Sequence, residues 1–344
     1  MLKNSVPAIF TALLLFLASC SDSSNNQFKK VLIQGKTMGT RYHVSLIVNY
    51  HSPFNDTKKL QHDLDDLLAK INQQMSTYLD DSEISRFNQY QSLDWFPVSN
   101  QLMDVLISAN KINKRSGGAF DITIASLVDL WGFGPDVRFT IPDSQQIKHA
   151  LELTGNQLIE IREKPPSIRK SKALVKIDLS AIAKGYAVDS ISRYLTSSGF
   201  TNHLVEIGGE IAAKGHNKQN QPWKIKIEQP AKNSTPQQPF VINLHDLAIA
   251  TSGDYRNYFV KANKRYSHTL DPDTGRPVTH HLASVSVLDK SAMTADALAT
   301  AIMVMGEKKG LDFVNQHHIP AFFIIRKSDN SYQYWSNIKS LKTH

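Results

Sequence analysis

Two side chains four residues apart, Asp296 and Thr300, carry the sharpest chemical signal in this 344-residue chain. Positions i and i+4 of a helix share a face, so both oxygens point the same way. A carboxylate with a hydroxyl suits Mg²⁺, which takes oxygen ligands, keeps waters and shares itself with substrate phosphates. It is a poor zinc set. The plain alternative is that Thr300 bonds back to its own helix and Asp296 is a solvated charge. Further segments rich in Gly, Thr, Asp and aromatic residues accompany the pair: 37–40, 117–123, 178–189, 208–210, 251–255 and 267–272. Their glycines would let backbone N–H groups approach a pyrophosphate. Lys184, Asp178 and His268 would supply charge and proton transfer, the imidazole because it titrates near neutral pH. Each segment alone has an ordinary explanation. Glycine pairs make turns and C-caps, Asp178 an N-cap, Lys184 a surface charge and His268 a structural imidazole.

Several nucleotide and hydrolase signatures are absent. There is no G-x-x-x-x-G-K-S/T, no G-x-G-x-x-G after a strand, no G-x-S-x-G and no H-E-x-x-H. P-loop kinase, Rossmann dehydrogenase, α/β-hydrolase and zincin readings therefore find no support.

The elements that must position these residues follow from hydrophobic periodicity. Residues 41–48 alternate as a strand, with Tyr42, Val44, Leu46 and Val48 on one face. Leu60, Leu64, Leu67, Leu68, Ile71 and Met75 predict an amphipathic helix over 57–75. A second helix runs through 102–112 towards Gly117-Gly118. Residues 128–134 read as a Trp- and Gly-rich loop, and 157–161 with 173–177 as a strand pair around Pro165-Pro166. A helix over 181–198 stops at Gly199. Short strands are expected at 203–207, 223–228, 240–244, 247–250, 284–288 and 322–325, with 229–239 as a hairpin loop. A helix over 293–305 ends at Gly306, and a second short helix follows. Runs of neighbouring strands with interspersed helices predict an α+β fold, with no domain boundary after residue 30.

The N-terminus predicts export. Lys3 precedes an apolar run over 6–17 and then Leu17-Ala18-Ser19-Cys20, the layout of a signal with a small-residue cleavage site. The run is too short to span a bilayer, which takes roughly 20 residues. Cys20 is the chain's one cysteine, and Leu-Ala-Ser-Cys resembles a bacterial lipobox. The expected organisation is a signal over 1–19, a lipidated (palmitate-bearing) Cys20 with a flexible tether over 20–30, and a domain over 31–344. The protein would be anchored to a membrane of the bacterial envelope, facing the periplasm, with the choice of membrane open. The formal charge of +8 is no nucleic-acid signature, because the basic residues are dispersed. The densest stretch, 162–176, surrounds the Pro-Pro turn.

The ordered series TMGT at 37, MSTY at 75, SEISRFN at 82, GGAFDIT at 117, LVDLWGFG at 127, DLSAIAKGYAVD at 178, GGE at 208, ATSGDYRNYF at 250, SHTLDPDTGRPV at 267 and ADALATAIMVMG at 295 resembles the ApbE family of FAD:protein FMN transferases. The resemblance spans about 31–326. It implies a single ApbE-type, T-fold-like domain of mixed or antiparallel sheets with packed helices. It also implies that Met38 and Tyr78 pack on the flavin, that Ala119, Phe120 and Asp121 line the FAD site, that Asp178 and Lys184 contact FAD, and that Leu270 borders the nucleotide. Mg²⁺ would be held by Asp296, Thr300 and the backbone carbonyl of Ala181. Some members carry an acid one position before the threonine, where this chain has Ala299, which thins the metal shell. The implied reaction is attack of a target threonine on the FMN-side phosphorus with AMP leaving, and His268 is the candidate general base. Targets in the family are membrane redox subunits of sodium-pumping quinone reductases or Rnf-type complexes. Two alternatives stand beside this: an FAD pyrophosphatase using water in place of threonine, against which Tyr78 speaks, and a flavin-binding lipoprotein without catalysis.

Overall fold

In a computed structural model, residues 28–50, 54, 56–135, 141–230, 240–254, 258–261, 264–329 and 331–343 are described. Eight strands form the central sheet: β1 (Phe28–Thr37), β2 (Thr40–Asn49), β3 (His203–Ile207), β4 (Glu210–Lys214), β5 (Leu247–Gly253), β6 (Leu282–Asp289), β7 (Ala321–Arg326) and β8 (Tyr332–Ser336). Their spatial order is their chain order, and every neighbouring pair is antiparallel. The sheet is thus a meander, interrupted by long insertions between β2 and β3, β4 and β5, β5 and β6, and β6 and β7. The result is α+β with antiparallel sheets, as expected.

Strand alternation sends residues to two cores. One face, with Val44, Val205, Ile207, Ala250, Val285, Val287 and Phe323, packs against the helices. These are α1 (Thr57–Met75), α2 (Glu83–Gln89), α3 (Asn100–Arg115), α4 (Ala125–Trp131), α5 (Ser144–Leu151), α6 (Ala183–Ser197) and α7 (Ala292–Gln316). The other face, with Ile47, Ile211, Ile249, Leu288, Phe322 and Ile324, packs on a small sheet built from Trp223–Lys226, Phe240–Leu244 and Leu341–Thr343. No helix among the described residues is long and apolar enough to cross a membrane.

Several elements depart from the sequence expectation. Of the segment 128–134, residues 128–131 are helical and only 132–134 remain a loop. Leu127 and Trp131, four apart and both buried, give α4 a core face. Gly132 ends it at φ 78. The hairpin around Pro165-Pro166 pairs Ile159–Arg162 with Ser167–Lys170, so it is tighter than predicted, its first strand starting two residues later and its second six residues earlier. Residues 173–177 lie outside any strand. Val175 and Ile177 are buried, and the segment is held by side chains instead of a ladder. Lys170 Nζ donates to the carbonyl oxygens of Phe87, Asn88 and Val175, and the Asn88 amide brackets Ile177. Strand β1 begins at Phe28, three residues inside the expected tether, because its ladder with β2 already starts at Phe28↔Asn49. The expected helix over 293–305 and its successor occur as α7, broken at Gly306 with φ 75. A Cβ there would lie 2.7 Å from the His280 ring.

Candidate functional site

Three connections meet at one end of the sheet. The β3–β4 turn, the insertion after β5 and the loop leading into α6 all face a cavity of ≈ 560 Å³, within the usual range for ligand sites. Helix α7 closes one wall with Asp296, Thr300 and Val304.

Helices α6 and α7 pack closely at Gly185, where a Cβ would lie 2.4 Å from the Ala292 carbonyl oxygen. Asp189 on α6 accepts from Ser291 Oγ at 2.6 Å and from the Ala292 and Met293 amides, so it caps the start of α7. Helix α6 begins at Ala183, two residues later than predicted, which leaves Ala181 in the preceding turn. In a regular helix the Gly185 N–H would bond the Ala181 carbonyl. Instead it donates to Asp296 Oδ2 at 3.0 Å. Ala181, Asp296 and Thr300 all line the cavity, and Thr300 Oγ1 lies 3.3 Å from Ser252 Oγ.

Asp296 is 3% exposed. Burial holds its carboxyl above the ordinary range, opposed by Lys184 and by the Gly185 N–H. Lys184 Nζ sits 2.7 Å from Glu210 Oε1. Burial pushes Glu210 up to about 7, with Lys184 pulling it down and Asp296 adding to the rise. The pair therefore sets one ammonium among the carboxyls of Asp121, Asp178, Glu210 and Asp296 that line the cavity. Among the described residues no group of three or more His, Cys, Asp or Glu side chains could hold a metal. A metal at this wall would take one carboxylate, one hydroxyl and one carbonyl, with the remaining positions left to water and phosphate. That donor set fits Mg²⁺.

On the opposite side Asp121 accepts from Thr123 N at 2.7 Å and Thr123 Oγ1 at 2.6 Å. The Asp178 N–H donates to the Ile122 carbonyl at 2.8 Å, which joins the two loops. Burial raises the carboxyls of both Asp121 and Asp178. Asp178 Oδ1 accepts from Ser180 N.

The structure brings Tyr78, Ala119, Phe120, Asp121, Asp178, Ala181, Lys184, His268, Leu270, Asp296 and Thr300 to this one cavity. Tyr78 is 66% exposed at its mouth, whereas Phe120 and Leu270 are buried. His268 is half-buried, with its ring edge-on to Phe133 at 6.4 Å between centroids. Met38 is not brought into the cavity. It occupies the β1–β2 turn at φ 48, beside Gly39 at φ 70, and lines a neighbouring hollow with Lys36, Arg41, His43 and Glu206. Two positive φ values are what a two-residue hairpin requires. Cys20 lies outside the described residues.

Sequence reasoning missed Glu210 and Ser252, although it singled out the segments that contain them. A signal for Glu210 was available. It sits two residues before Ala212, which puts a carboxyl on the face of β4 that turns inward.

A family model described as the ApbE family matches residues 38–323. A protein of Vibrio cholerae named FAD:protein FMN transferase is 43% identical over 327 residues, covering 95% of both chains. One of the same name from Haemophilus influenzae is 39% identical, covering 94% of this chain and 93% of the relative. The solved structure of the flavin transferase ApbE from Vibrio cholerae superposes with a TM-score of 0.82 at 42% identity, over 91% of this chain and 98% of that one.

Proposed function

The chain belongs to the ApbE family, and from that premise we propose that it is an FAD:protein FMN transferase that binds FAD with Mg²⁺ and passes the FMN half to a threonine of a partner protein. The observation that carries this reading is the single cavity shared by Asp296, Thr300, Lys184, Asp178, Asp121 and His268. The matching names of near-full-length relatives support the activity.

Asp296, Thr300 and the Ala181 carbonyl would hold Mg²⁺. When bound, it offsets charge on the diphosphate, which is the main demand of phosphoryl transfer. Lys184 adds a second positive charge at the same wall. Tyr78 offers an exposed aromatic face at the mouth for the flat flavin ring. Met38 would reach the ring from the adjoining hollow. Asp121 and Asp178 would accept hydrogen bonds from the nucleotide, with Ala119, Phe120 and Leu270 as apolar walls. The threonine oxygen forms its bond to the FMN-side phosphorus as the anhydride bond breaks. AMP leaves with that bond's electron pair, and His268 takes the hydroxyl proton.

Cys20 would carry the lipid that anchors the domain at the periplasmic face of the envelope. The acceptors would then be membrane redox subunits of sodium-pumping quinone reductases or Rnf-type complexes. Both assignments rest on the sequence resemblance.

The test is mass spectrometry of a candidate acceptor after incubation with FAD, Mg²⁺ and this protein. Expected is an FMN adduct on a threonine, lost with chelator and in Asp296→Asn. Rapid AMP release without acceptor and without adduct would establish a pyrophosphatase instead. FAD bound but left intact would establish a carrier. His268→Ala should retain FAD and slow transfer by on the order of 10²- to 10⁴-fold. Transfer at the wild-type rate would remove His268 from the proton's path.

A further inference from the structure

Neither Asn88 nor Lys170 lines the cavity, yet together they hold one of its walls. Lys170 is 1% exposed. Its Nζ donates to the carbonyl oxygens of Phe87 at 3.1 Å, Asn88 at 3.3 Å and Val175 at 3.1 Å. An ammonium has three hydrogens to give, so the set is complete. The first two acceptors belong to the last turn of α2, where helical carbonyls lack a partner of their own. The third lies in the segment 173–177, which leads to the cavity. Asn88 adds a second tie between the same two pieces of chain. Its Nδ2 donates to the Ile177 carbonyl at 2.9 Å, and its Oδ1 accepts from the Ile177 N–H at 2.8 Å.

The other end of α2 reaches the mouth of the cavity. Ser82 Oγ and Ser85 Oγ donate to the Ser76 carbonyl at 2.6 Å and 3.3 Å, and the Tyr78 N–H donates to Ser76 Oγ at 3.2 Å. Helix α2 therefore joins the turn carrying Tyr78 to the backbone carrying Asp178, and both of those residues line the cavity. Burying Val175 and Ile177 would by itself keep the segment on the core, but hydrophobic contact has no direction. The polar bracket on Ile177 supplies it, and the next residue is Asp178. A hydrogen bond weakens steeply when its partners turn out of line.

We infer that Asn88 and Lys170 are positioning residues for FAD binding: they orient the Ile177–Asp178 backbone so that the Asp178 carboxyl meets the nucleotide. This rests on the FAD reading above.

The test measures FAD affinity by flavin fluorescence with Mg²⁺ for Asn88→Ala, Lys170→Met, Asp178→Asn and the double variant Asn88→Ala/Asp178→Asn, with a thermal melt of each. Asn88 is half-buried, so Asn88→Ala decides the matter if Lys170→Met does not fold. Each single variant should bind FAD roughly 10-fold more weakly, the worth of a hydrogen bond to a charged group, with the KM for the acceptor unchanged. The double variant should bind FAD no more weakly than Asp178→Asn, because residues that act through one contact are not additive. Additive losses would overturn the inference. So would a lowered melting temperature with wild-type FAD affinity, the mark of a purely structural clamp. Wild-type affinity in Asp178→Asn would overturn it too, leaving the clamp nothing to position. A wild-type protein that binds no FAD at all would instead sink the underlying reading and this inference with it.

Discussion

Lys184 faces two partners at once. It neutralises Glu210, whose carboxyl is almost wholly buried, and it is the ammonium at the wall where the diphosphate would lie. Removing it should therefore have two separable effects. Lys184→Met should weaken FAD binding by roughly 10-fold or more, the worth of a charge-assisted contact. It should also strand a buried carboxyl. A carboxyl whose folded pKa is raised above its unfolded value loses stability as pH climbs through the interval between them. For Glu210 that interval runs from 4.5 to about 7, and without Lys184 it extends upward. Thermal melts should show a stability deficit for Lys184→Met that is larger at pH 8 than at pH 5. A deficit independent of pH would mean that Lys184 does not govern Glu210.

At the scale of elements, the wall proposed to hold Mg²⁺ depends on how α6 meets α7. Gly185 permits the contact, since a Cβ would run into the Ala292 carbonyl at 2.4 Å. Its N–H fixes Asp296, and Asp189 anchors the first turn of α7 through three donors. Gly185→Ala should force the helices apart at a cost of about 1–3 kcal/mol. Because Asp296 and Thr300 ride on α7, the same change should raise the Mg²⁺ concentration needed for half-maximal transfer. A Mg²⁺ titration on the folded variant checks this. An unaltered midpoint would separate the metal wall from this helix contact.

For the whole molecule, a plain antiparallel meander supplies a rigid plate, and the insertions between its strands build the site at one end. The lipid anchor proposed at Cys20 would act separately from that machinery. Cys20→Ser should move the protein from the membrane to the soluble fraction while transfer to a soluble acceptor fragment continues at the wild-type rate. Membrane retention of the variant would show that the anchor lies elsewhere.

What the sequence determined by itself was local: helix α1 from its 3.6-residue stripe, the break at Gly306, most strands of the sheet, and the candidate residues, which are short segments with unusual composition. Eleven of the residues singled out line one cavity. Hydrophobic period and glycine placement act within a few residues, so they can be read in order along the chain. The tertiary structure decided everything that depends on who faces whom. It turned 128–131 into the end of α4, because Leu127 and Trp131 found a core to bury in. It left 173–177 outside any strand, where Asn88, 89 positions away, brackets the Ile177 backbone. It diverted the Gly185 N–H from Ala181 to Asp296, and it set Glu210 against Lys184 with one oxygen left open. These are contacts between residues far apart in the chain, such as the 111 positions separating Gly185 from Asp296. Burial and charge at such contacts are fixed only when the chain has closed on itself, and no spacing along the sequence encodes them.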